Sequence, residues 1–161
     1  MCIWVAAIAA VAVSAYGAYE SGQASKKAAK HNAKMDKYNA EMQGNQAIDA
    51  LERGAIEADN VAKEGAAAIG EGRAAWAGGN VELSTGTAAM WEVEAAESVA
   101  ADVGMTRYNA GQEAASFRNA AWNSRASASL NKYKGRSAAR AGNIGAASSV
   151  LGGLSSVNYG R

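Results

Sequence analysis

The chain has 161 residues and a formal net charge of +1, room for one or two small domains. Hydrophobic residues make up 49% of it, but there is one Phe and few Leu, so a monomer buries little apolar area and self-association is expected. A single cysteine excludes an intramolecular disulfide and a multi-cysteine zinc site, and the absence of proline favours long uninterrupted helices.

Residues 1–19 carry no charge, and seven of them are alanine. As a helix they would extend for roughly 28 Å, close to the hydrocarbon thickness of a bilayer. A cleaved signal is disfavoured, because no Lys or Arg precedes Lys26 and Ser14-Ala15-Tyr16 is a poor cleavage site. Alanine contributes little to insertion, yet small residues suit close helix contact. The segment therefore reads as a conditional membrane helix, packed against protein first, with Ile3, Trp4, Val5, Ile8, Val11, Val13 and Tyr16 as its insertion residues.

Residues 20–77 read as the first long helix, with a possible interruption near Gly17–Gly22. Lys26, Lys27, Lys30, Lys34 and Lys37 solvate its start. Met35, Tyr38 and Met42, then Ile48, Leu51, Ala55, Ala58, Ala62, Gly65 and Ile69, form a heptad-like packing seam. Gly78-Gly79-Asn80 is the clearest breaker, residues 78–86 read as a turn, and Ser84 or Thr85 is the expected N-cap of the next helix. Residues 87–140 read as the second long helix, packing through Val99, Val103 and Phe117. Residues 141–161 are rich in Gly and Ser and read as a tail, or else as a small-residue helix docked on the N-terminal segment. The fold expected is all-α: a long antiparallel helical hairpin assembling into a homo-oligomeric ring or bundle.

Charge is distributed in blocks. Residues 41–121 hold five basic and thirteen acidic side chains; residues 22–40 and 122–140 together hold ten basic and one acidic. Arg107, Arg118, Arg125, Lys132, Arg136 and Arg140 fall within roughly 60–80° of helix surface. Tyr108, Trp122 and Tyr133 flank that stripe on one side. Cations interleaved with aromatics can hold phosphates and stack bases, so these six, with Lys26, Lys27 and Lys30, are the candidates for phosphate or headgroup contact. The alternative is a solvated face whose aromatic edge packs on the partner helix.

Nothing points to catalysis. His31 lies in a lysine-rich helix, Cys2 has no local base, and no strand or GK[ST] accompanies the glycines at 70–79. No enzyme activity, cofactor or metal is expected.

One resemblance runs through most of the chain. It is carried by Arg73-Ala74-Ala75-Trp76-Ala77-Gly78-Gly79, Ser84-Thr85-Gly86-Thr87, Thr106-Arg107-Tyr108-Asn109, Glu113-Ala114 and Phe117-Arg118-Asn119-Ala120-Ala121. Ala141-Gly142-Asn143-Ile144-Gly145, Ser149-Val150-Leu151-Gly152-Gly153 and the Met1-Cys2 start fit it too. In these the chain resembles the small internal virion, or ejection, proteins of short-tailed bacteriophages. The resemblance implies many copies in a capsid core stacked on the portal, beside larger internal virion proteins. It further implies release at infection to help build a channel for DNA across the host envelope, at the outer membrane. Two other readings compete: a membrane-anchored cellular hairpin adaptor, and a soluble helical nucleic-acid-binding protein.

Overall fold

Proline-free, alanine-rich sequence offers a helix few reasons to stop, and the chain forms two long ones, α1 (Cys2–Gly78) and α2 (Gly86–Asn158), packed as an antiparallel hairpin. This computed structural model describes residues 2–79, 82 and 86–158, and side chains over 12–79, 82 and 86–152. The expected caps Ser84 and Thr85 lie outside the described residues. So do the side chains of Ile3, Trp4, Val5, Ile8 and Val11, whereas Val13 and Tyr16 are exposed. Among the described residues no helix is long and apolar enough to cross a membrane. α1 ends at the glycine pair, where the Gly79 amide reaches the Ala75 and Trp76 carbonyls at 3.2 and 3.1 Å. α2 opens on Gly86 with φ of 66°, a left-handed conformation that glycine adopts without penalty.

The chain divides into two compact units: unit 1, Met1–Ala40 with Trp122–Arg161, and unit 2, Glu41–Ala121. Unit 2 contains the whole acidic block, five basic against thirteen acidic side chains.

In unit 1, the Gly22 and Gly142 backbones meet directly. A Cβ on Gly22 would lie 2.9 Å from the Gly142 Cα and 3.0 Å from the Ala138 carbonyl oxygen. Gly135 meets Ala29, and Asn131 donates to Asp36 at 2.8 Å. These contacts correct two sequence expectations. α1 is uninterrupted at Gly17–Gly22, and residues 141–158 continue α2 instead of forming a tail. The physical reason is shared: glycines that weaken an isolated helix let two helices approach backbone to backbone.

In unit 2, Gly54 faces Ala110, Gly65 faces Val99 and Gly72 faces Trp91. Arg53 pairs with Glu113 at 3.0 Å, and Arg73 pairs with Glu92. The Glu92 carboxylate, first by its hydrogen bond and then by its charge, raises the Arg73 pKa. Inner positions on α1 are Ala47, Ala50, Gly54, Ala58, Val61, Gly65, Ile69, Gly72 and Trp76. On α2 they include Ala88, Glu92, Ala95, Val99, Val103, Thr106, Ala110, Ala114, Phe117 and Ala121, with Trp91 beside Glu92 against Gly72. Both runs repeat every 11 residues, a period that calls for right-handed supercoiling. Unit 1 keeps a seven-residue spacing, as in Gly22, Ala29, Asp36 and in Ala33, Ala40, which calls for the opposite hand.

The packing seam differs from the sequence reading. Met35, Tyr38, Met42, Ile48 and Leu51 are exposed, while Ile69, Val99, Val103 and Phe117 are half-buried on the inner face. Every buried apolar side chain described is an alanine, as in the Ala47, Ala50 and Ala114 cluster against which Phe117 packs. Large side chains would hold the helices apart at the distances the glycines permit, so they take the outer faces.

Candidate polyanion-binding cleft

The close approach of Gly135 to Ala29 and to the Lys26 backbone sets two cationic helix faces side by side in unit 1. Lys26 and Lys30 come from α1, and Lys132, Gly135 and Arg136 from α2. Together they line a shallow cleft of about 310 Å³. Each pair is four residues apart on its helix, so both cations of a pair project from one face. None of these four side chains makes an ion pair among the described residues. Unit 1 has only Glu20 and Asp36 as acids, and Asp36 is engaged by Asn131.

The electrostatics are repulsive. The nearby Lys37 charge, more than its hydrogen bond, desolvation or Arg136, lowers the Lys132 pKa. A polyanion entering the cleft would relieve that repulsion, and phosphate oxygens are the common anion matched to several flexible ammonium groups and one guanidinium.

The lowered pKa gives a stability prediction with a definite sign. The unfolded chain keeps the Lys132 proton to higher pH than the folded chain. Folding stability should therefore rise with pH in the window just below the ordinary lysine value of 10.5. The Lys37→Met variant should flatten that rise, as read from thermal midpoints taken between pH 8 and 10.5. Parallel curves for the two chains would rule the coupling out.

Of the nine cations singled out from sequence, the fold brings together Lys26, Lys30, Lys132 and Arg136. Lys27, Arg125 and Arg140 are exposed in unit 1 but do not line the cleft. Arg107 and Arg118 are exposed in the acidic unit 2 and do not line it either. The sequence reading misses Lys37 as a site residue. Its signal is its spacing: Lys26, Lys30 and Lys37 recur at i, i+4 and i+11, which is one helix face. The aromatics at the stripe's edge do not pack on the partner helix: Tyr108, Trp122 and Tyr133 are 61, 72 and 71% exposed.

No family model, no curated protein and no solved structure matches the chain.

Proposed function

We propose that the protein is a structural internal virion protein of a short-tailed bacteriophage. In this reading it is held with larger internal virion proteins in a core stacked on the portal. At infection it is released to help form a channel for the genome through the host envelope, at the outer membrane. It has no catalytic role. The reading rests on the sequence resemblance, and one structural observation supports it most. Among the described residues every buried position is alanine or glycine, while Val13, Tyr16, Tyr19, Met35, Tyr38 and Trp122 are exposed. Such a chain presents its large apolar groups to other copies, to partner proteins or to lipid. A second reading, a soluble nucleic-acid-binding helical protein, is favoured by the basic cleft. The two are compatible, because a genome-delivery channel also lies beside DNA.

The membrane step is tested by vesicle leakage. Purified full-length protein should form detergent-soluble oligomers and release dye from liposomes. Deletion of residues 3–16 should abolish release while the 24–140 hairpin stays helical by circular dichroism. A monomeric protein that leaves vesicles intact at every pH would reject the channel.

A further inference from the structure

We infer that one end of unit 1 enters an anionic lipid surface as a pair of helices, α1 together with the C-terminal part of α2. Two observations within unit 1 carry it: an uncharged end with large side chains in water, and a belt of cations next to that end along the helix axes. The inference deepens the membrane step proposed above and rests on it for the membrane as partner.

The uncharged end has members on both helices. Residues 12–19 of α1 and 144–152 of α2 contain no charged side chain. Gly22 against Gly142, with Ala18 against Gly142 and Gly145, sets the antiparallel register. Val13 lies nine residues before Gly22 and Leu151 nine residues after Gly142, so the two are level. Nine residues are about two and a half turns, so each side chain projects from the side of its helix away from the other helix. Ile144 stands in the same relation to Gly135, which faces Ala29. Exposure agrees: Val13, Ile144 and Leu151 are 72, 70 and 68% exposed. A flat partner touches Val13 or Leu151 but not both, whereas a lipid layer that the end enters surrounds both.

In the same register, residues 21–35 lie beside residues 129–143. Each stretch holds four basic side chains and no acid, and all of these cations are exposed. Exposed Tyr16 and Tyr19 stand where the uncharged end meets this belt, with Glu20 the one acid there. Apolar groups, then tyrosines, then cations is the order that acyl chains, interface and anionic headgroups accept. Charge decides the occupant. A second copy aligned in parallel would set cations against cations. A DNA duplex would use the cleft cations and leave Val13, Ile144 and Leu151 in water. Entry is shallow: residues 12–19 extend roughly 12 Å, less than half the hydrocarbon thickness, in keeping with the lack of a bilayer-crossing helix among the described residues.

The test uses the full chain with Cys2→Ser as background, carrying Val13→Cys or Leu151→Cys labelled with a polarity-sensitive fluorophore. With mixed phosphatidylglycerol and phosphatidylcholine vesicles, both labels should shift to the blue and be quenched by brominated acyl chains. A label at Ala66→Cys, exposed in unit 2, should do neither. Lys27→Gln with Lys134→Gln and Arg140→Gln removes three belt cations outside the cleft and should weaken vesicle binding by roughly tenfold or more. Circular dichroism confirms that each variant keeps its helix content. A response at Val13 alone, an equal response at Ala66, or an equal response to pure phosphatidylcholine would overturn the inference. So would a blue shift without lipid, which would assign the end to a second copy, or one produced by duplex DNA alone. Docking of both labels without dye release would sustain the inference and reject the channel; dye release with the Leu151 label still in water would do the reverse.

Discussion

Gly54→Ala should destabilise the protein, although alanine is the better helix former by about 1 kcal/mol. A Cβ at Gly54 would overlap the Ala110 Cβ, a short stiff group with no rotamer to escape into. Overpacking of this kind costs about 1–3 kcal/mol, so the balance is a net loss of up to roughly 2 kcal/mol, and Gly54→Leu should lose more. In unit 1, Gly22→Ala and Gly142→Ala should behave likewise, because the obstacles there are backbone atoms at 2.8–3.0 Å. Gly72→Ala should cost less, since its neighbour is the edge of the Trp91 ring, which can swing. The control has the opposite sign. Gly44, Gly104 and Gly111 would place a Cβ in open space, so alanine at each should stabilise by about 0.5–1 kcal/mol. Urea unfolding followed by circular dichroism, at one fixed protein concentration because self-association shifts the midpoint, separates the two groups. Equal effects at Gly44 and Gly54 would mean that the helices do not approach as closely as described.

That contrast also marks what the sequence makes legible. The two helices and their turn follow from composition, because nothing between Cys2 and Gly78 is strong enough to break a helix. The direction of packing follows from the Gly-rich connection. The seam itself does not follow from hydrophobicity. Ile48 and Leu51 look like core by size and spacing, but Ala47, Ala50 and Gly54, beside or near them, face α2 instead. Two physical facts explain the slip. A close helix pair selects small inner residues, which invert the usual size rule. The inner face of unit 2 also repeats every 11 residues, so a seven-residue template drifts off it before meeting it again at Ala58, Gly65 and Ile69. The cleft is half legible. Spacing along α2 places Lys132 and Arg136 together, but their union with Lys26 and Lys30 depends on Gly135 seating against Ala29.

The cleft gives the second large effect. Duplex DNA should bind the protein with a steep salt dependence, because each phosphate neutralised by a cation releases counterions and adds about 0.9 to the slope of log affinity on log salt. The Lys26→Gln, Lys30→Gln, Lys132→Gln variant removes three of the four cleft cations while retaining Arg136. Its slope should fall by about 2.7. The loss of affinity relative to the parent should be greatest at low salt, differing by roughly 40-fold between 50 and 200 mM salt. Arg107→Gln with Arg118→Gln changes charge in the opposite setting. Those arginines belong to unit 2, where thirteen carboxylates outnumber five cations and repel a polyanion. That pair should change the slope by less than one. Fluorescence anisotropy of a labelled duplex over a salt series reads both slopes directly. Equal losses from the two variants would assign binding to net charge alone, whereas a parent-like slope in the triple variant would remove the cleft as the site. Since α1 and α2 each supply two of the cleft cations, Gly135→Leu, which forces α2 away from Ala29, should reduce the slope with every cation still in place. That result would tie phosphate contact to the helix spacing the small residues create, and not merely to the number of positive charges on the chain.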